Sequence, residues 1–139
     1  MVGIIVISES RASREMLKTV KKVLGTKSLQ GIIPLVMDAK LDCPTRKQRI
    51  VKTIRKLKTK DGVLIMTELY GSTQNNVCID FLKKERVELI SGYNLPMLIK
   101  AATLNQALTP AEIASEITRS GKKYIQCLHQ KKTHGQTAH

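Results

Sequence analysis

The chain has no tryptophan, one phenylalanine and three tyrosines. Stacking platforms for unpaired bases are therefore scarce, and the apolar share is aliphatic, as in a buried parallel sheet covered by helices. Cysteine is sparse too: Cys43, Cys78 and Cys127 lie far apart with no CxxC, which indicates neither a disulfide framework nor a zinc site. Cys78 and Cys127 fall in apolar runs and are expected in the core. Histidine occurs only at His129, His134 and His139, away from any carboxylate or thiolate cluster, so no metal is expected. No GxGxxG and no GxxxxGK[ST] is present, so no dinucleotide or P-loop site is supported, and no cofactor is expected. No apolar run approaches the ~20 residues needed to cross a bilayer. The start lacks a basic segment leading into a signal-type core. A cytoplasmic protein without membrane insertion is the expectation. Acidic residues are also few, 11 against 24 Lys and Arg, for a net charge of +13. That surplus draws the protein toward polyanions without specifying one.

What is present is an alternation. Its 139 residues suit one domain with a substantial core. Val2 to Ile7 is a continuous, mostly β-branched run, as expected of a strand buried on both faces. Ser8-Glu9-Ser10-Arg11 breaks it. Met16, Leu17, Val20, Val23 and Leu24 then mark one face of a helix closed by Gly25. Gly31 to Met37 is a second strand, placed at an edge because Pro34 cannot donate a ladder hydrogen bond. A helix starting near Thr45 carries Ile50, Val51, Ile54 and Leu57 on one side. Arg46, Lys47, Arg49, Lys52, Arg55, Lys56, Lys58 and Lys60 crowd the remainder of that stretch.

Val63 to Met66 is a third buried strand, followed by the small, polar segment Thr67 to Asn76. Gly71 permits a tight turn there, and Ser72 or Thr73 can cap the next helix. Val87 to Ile90 is a fourth strand, and Pro96 suits the first turn of the helix after it. Thr109-Pro110-Ala111-Glu112 reads as a capping box. Ser120-Gly121 should close that helix, and Lys123 to Leu128 alternates as a half-buried strand would. The expected architecture is α/β, a doubly wound, mainly parallel four-stranded sheet of order 2-1-3-4 with helices on both faces, plus a C-terminal strand. In that order the turns at 8–11 and 67–73 face each other across one crevice at the switch point.

With these segments in hand, the chain resembles the IIA component of the mannose-type (mannose, fructose, sorbose) sugar phosphotransferase system over residues 1–129, leaving 130–139 as a flexible tail. The resemblance rests on Gly3 to Ile7 leading into the first turn, on Gly62 to Ile65 leading into Tyr70-Gly71-Ser72-Thr73, and on Gly92-Tyr93-Asn94-Leu95-Pro96-Met97-Leu98. The last matches the family pattern G-x-N-x-P-M-L. Resemblance implies a phosphoryl group carried on a first-turn histidine, received from the phosphocarrier HPr and passed to a IIB component. It also implies a homodimer that exchanges the last strand. The family's first turn commonly reads G-T-H-G. Here Ser10 stands at the histidine position, Glu68 at the position of the orienting carboxylate, and Thr73, with Ser72 beside it, at the small hydroxyl of the second turn. Ser8, Glu9, Arg11 and Gly71 complete the implied crevice.

A serine is a poor substitute for that histidine. An imidazole is nucleophilic near neutral pH and its phosphoramidate is labile, whereas a hydroxyl needs a base and gives a stable ester. The expectation is a IIA-like module that has lost the acceptor and binds or regulates. Two alternatives stay open: a carrier working through Ser10 or a C-terminal histidine, and a basic polyanion-binding protein on the same fold, with nucleic acid as the lesser expectation. Plainer readings stand beside each residue. Ser10 can be a helix cap, Glu68 can pair with Arg11, Ser72 and Thr73 can be caps, and the basic helix can be a solvated face.

Overall fold

The computed structural model describes residues 1–104 and 107–129. Four parallel strands, β1 (Gly3–Ser8), β2 (Ile32–Val36), β3 (Val63–Thr67) and β4 (Val87–Ser91), form one sheet in the order β2-β1-β3-β4. The helices are α1 (Ala12–Leu24), α2 (Cys43–Leu57), α3 (Thr73–Ile79), α4 (Leu95–Thr103) and α5 (Pro110–Lys123). Short 3-10 turns lie at Thr26–Leu29 and Asp80–Lys83. Strand β1 pairs with both β2 and β3, Ile5 lying opposite Ile33 on one side and Ile65 on the other. Pro34 lies in the outer strand β2, opposite Val6. All six residues of β1 and all five of β3 are buried. Their sequences show no alternation because both faces are covered: Ile4, Val6, Leu64 and Met66 face α1, α4 and α5, and Ile5, Ile7 and Ile65 face α2 and α3. Each such side chain contributes about 1.5–3 kcal/mol by leaving water.

Helix starts follow the local chemistry. Asp42, rather than Thr45, caps α2: its carboxylate accepts from Thr45 N–H at 2.8 Å. Asn94 caps α4, and Thr109 and Glu112 close a reciprocal capping box on α5. On α1 the apolar stripe is narrower than its spacing suggests. Leu17 and Val20 are buried, but Val23 is 62% exposed.

Two expectations about the C-terminal part are overturned. Helix α5 runs through Ser120 and Gly121 to Lys123 instead of stopping. Gly121 serves packing: a Cβ there would stand 2.5 Å from Cγ and Sδ of Met97 on α4, so its lack of a side chain lets two helices close up. Lys123 to Leu128 forms no strand: Lys123 ends α5, and 124–128 pair with no strand of the described chain. Ile125 and Leu128 are 73% and 81% exposed, and Cys127, expected in the core, is exposed as well. Cys78 is buried as expected, and burial pushes its thiol up to about 12. The tail 130–139, with His134 and His139, lies outside the described residues.

Candidate functional site

Strand order places the β1–α1 and β3–α3 turns side by side at the carboxyl edge of the sheet, where the connections diverge to opposite faces. They touch through one bond: the Glu9 N–H donates to Glu68 Oε1 at 2.8 Å. The Glu68 carboxylate thus meets a backbone N–H, whereas its plainer reading gave it Arg11 as a partner. No Arg11–Glu68 ion pair occurs among the described residues, and Arg11 is the backbone N-cap of α1.

The first turn is closed by its own chain. Ser8 ends β1 fully buried, its hydroxyl bonded to the Ser10 carbonyl and to the Ser13 hydroxyl, the latter at 2.7 Å. The Ser13 N–H donates to Ser8 Oγ at 3.0 Å. Ser8 thus does the capping work expected of Ser10. The Ser10 side chain is exposed and forms no hydrogen bond among the described residues.

The second turn is braced from beneath. Glu68 follows β3 directly and is exposed, and Gly71 turns at φ +80, a left-handed conformation that favours glycine. Ser72 caps α3 by accepting from Asn75 N–H at 3.2 Å, while Thr73 opens the helix exposed to solvent. Under the turn, Asn75 Oδ1 accepts from Thr67 Oγ1 at 2.9 Å and from the Ser91 hydroxyl of β4. Among the described residues no buried side-chain nitrogen or oxygen lacks a partner.

A third turn joins them. The Tyr93 hydroxyl donates to the Ile7 carbonyl at 2.9 Å, and Gly92 N–H donates to the Thr67 carbonyl at 2.8 Å. Burial pushes the Tyr93 phenol well above its ordinary range; the Glu68 carboxylate adds to the rise and a bond with Ser8 opposes it. Tyr93 therefore stays protonated and holds the edge of β1 as a neutral donor. Thr67, Asn75, Ser91 and Tyr93 were missing from the residues read as a site from the sequence, although Ser91 to Asn94 lies in the segment that carries the strongest motif.

Behind the second turn is a buried cation. Arg46 is 3% exposed, yet it meets no carboxylate. Its guanidinium donates to the carbonyls of Leu41 (2.8 Å), Ala39 (2.7 Å) and Asp38 (3.3 Å) and to Gln74 Oε1 of α3 (2.7 Å). Gln74 in turn donates to the Met37 carbonyl at 2.6 Å. The loop after β2 is thereby tied to the start of α3. Read from the sequence, Arg46 was one cation among eight, and nothing in its neighbours set it apart.

No group of three or more His, Cys, Asp or Glu side chains that could hold a metal occurs among the described residues, and no described helix is long and apolar enough to cross a membrane. The edge offers exposed hydroxyls, turn N–H groups and the carboxylates of Glu9 and Glu68. Among the described residues it contains no imidazole: His129, the one histidine described, lies beyond α5.

An open parallel sheet whose two innermost strands end in neighbouring polar turns defines an α/β protein with its topological switch point there. Within that class the chain belongs to the family described as PTS system fructose IIA component, whose sequence model matches residues 3–118. It is 28% identical over 100 residues to the PTS system mannose-specific EIIAB component of Escherichia coli (strain K12), a match covering 71% of this chain. The chain spans about 30% of the length of that relative. To the PTS system sorbose-specific EIIA component of Lacticaseibacillus casei it is 23% identical over 131 residues, 94% of this chain and 93% of that protein. The fold matches that of the mannose/sorbose specific IIA subunit of the phosphotransferase system from Enterococcus faecalis, with a TM-score of 0.80 at 20% identity over 92% of this chain and 95% of that one.

Proposed function

We propose that this protein is a IIA-like module of the sugar phosphotransferase system that does not carry the phosphoryl group, acting instead by binding a phosphotransferase partner. The observation that carries this reading is the Ser10 hydroxyl, exposed with no base hydrogen-bonded to it, at the position where the resemblance puts the acceptor imidazole. Glu68, at the orienting position, spends its Oε1 on the Glu9 N–H. A hydroxyl without a base is a weak nucleophile, and a serine phosphate ester would hold the group instead of passing it on. The rest of the edge is kept in order by Tyr93, Asn75 and Ser8, so a docking surface survives where the reactive atom does not. Leu69 and Tyr70, 65% and 82% exposed at the tip of the second turn, give that surface apolar anchors for an HPr-like or IIB-like protein. The exposed Ile125 and Leu128 favour a homodimer in which a second copy covers the segment after α5. The cytoplasm, where those partners work, is the proposed location.

Incubation with phosphoenolpyruvate, enzyme I and HPr, followed by intact mass at neutral and acid pH, tests the reading. The wild-type chain is expected to gain no acid-labile phosphate, and gaining one would overturn the proposal. The Ser10→His variant is expected to gain it, because Glu68, at the orienting position, already meets that turn through the Glu9 N–H.

A further inference from the structure

Helix α2 differs from every other helix in its charge. Its 15 residues include Arg46, Lys47, Arg49, Lys52, Arg55 and Lys56 and no acidic residue. Arg46 is buried on carbonyls and Lys47 pairs with Asp80 at 2.7 Å. Arg49, Lys52, Arg55 and Lys56 are exposed and meet no carboxylate among the described residues. Among the described residues none of the chain's eleven acids forms an ion pair with these four cations. Asp38, Asp42, Glu68 and Glu112 accept from backbone N–H groups, and Glu15, Asp61 and Glu116 hold other cations.

Like charges three and four residues apart, as in Arg49, Lys52 and Lys56, weaken a helix by a few tenths of a kcal/mol per pair. A face that only needs solvation is served as well by mixed charges, as on α1 and α5, where Glu15 meets Lys18 and Glu116 meets Arg119. Arg55 and Lys56 occupy the last turn, where a cation suits the helix dipole. Arg49 and Lys52, in the body of the helix, have no such reason. We propose that the outer face of α2, centred on Arg49, Lys52, Arg55 and Lys56, binds the phosphate chain of a nucleic acid.

The face fits phosphates better than it fits a protein. Protein interfaces are anchored by buried apolar or aromatic side chains, and the exposed large hydrophobic residues of this chain all lie off α2. Sequence-independent phosphate binding needs only Lys and Arg. From Arg49 to Lys56 the cations run about 10 Å along the helix at 1.5 Å per residue, about three 3.4 Å steps and so the span of about four successive phosphates of one strand. This inference stands apart from the fate of Ser10, since α2's outer face carries none of the crevice residues.

Fluorescence anisotropy of the full chain with a short mixed-sequence DNA duplex tests it, over a series of salt concentrations. A slope of log K against log salt of about −3.5 is expected for four phosphates at roughly 0.9 each. Replacing Arg49, Lys52, Arg55 and Lys56 together by Gln should weaken binding roughly tenfold or more at low salt and flatten the slope. Replacing Arg14, Lys21, Lys22 and Lys27 by Gln removes the same charge from the α1 side and should change affinity by less than about threefold. Urea midpoints of both variants verify that each is folded. Absence of binding, equal weakening in the two variants, or displacement of the duplex by polyglutamate as readily as by unlabelled duplex would each overturn the proposal; the last outcome would assign the face to an acidic protein.

Discussion

The two turns that meet at the carboxyl edge are built in opposite ways. The β1–α1 turn is closed by hydrogen bonds of Ser8 to its own neighbours and leaves Ser10 without a structural task. The β3–α3 turn rests on a buried polar assembly that reaches β4 through Ser91 and, through Gln74 and Arg46, the loop after β2. What stands at position 10 can therefore change with little effect on the fold, whereas the second turn cannot be altered from beneath without loosening three elements. On this asymmetry the residue at position 10 is free to vary while the scaffold around it persists.

The largest effect is expected from Arg46→Ala. It leaves Gln74 Oε1 and several carbonyls without their donor in a buried site, at a cost of about 3 kcal/mol in unfolding free energy. Urea unfolding with an unchanged m-value checks this. A loss below about 0.5 kcal/mol would mean that the second turn is not braced from α2.

Next comes a paired measurement. Asn75→Ala removes the shared acceptor of Thr67 and Ser91 and is expected to destabilise by about 2 kcal/mol, while Ser10→Ala should stay within about 0.5 kcal/mol of the wild type. Equal effects in the two variants would erase the contrast between the turns.

The smallest effect concerns pH. The bonds from Thr45 hold the Asp42 carboxyl below its ordinary value, and those from Thr109 do the same for Glu112. A lowered folded-state value means stability that is present above the ordinary carboxylate range and lost as pH falls through it. Asp42→Asn keeps a capping acceptor but removes the titration, so stability plotted against pH should flatten in that acid range. An unchanged slope would show that the α2 cap does not contribute to acid sensitivity.

Much of the edge was legible beforehand. Continuous β-branched runs at Val2 to Ile7 and Val63 to Met66 identify strands buried on both faces, Pro34 puts its strand at a border, and Thr109 with Glu112 marks a helix start. Those signals are local, and the structure agrees with each. Gly121 and the segment after it were misread because a glycine near a helix end looks the same whether it stops the helix or admits a neighbour. Met97, 24 residues earlier in the chain, decides between them. Tyr93 and Asn75 were overlooked for the same reason: a hydroxyl or an amide reveals its partner only after folding.

The order of residues alone determined the α/β alternation, the capping box of α5 and the absence of an imidazole from the first turn, since each is settled by a side chain's own chemistry or by neighbours within a turn or two. Tertiary structure decided which hydroxyl is capped and which is free, that Glu68 answers Glu9 instead of Arg11, and that Arg46 alone among the cations of α2 turns inward. Those outcomes depend on which distant groups compete for a limited set of donors and acceptors once the sheet has brought them within hydrogen-bond reach.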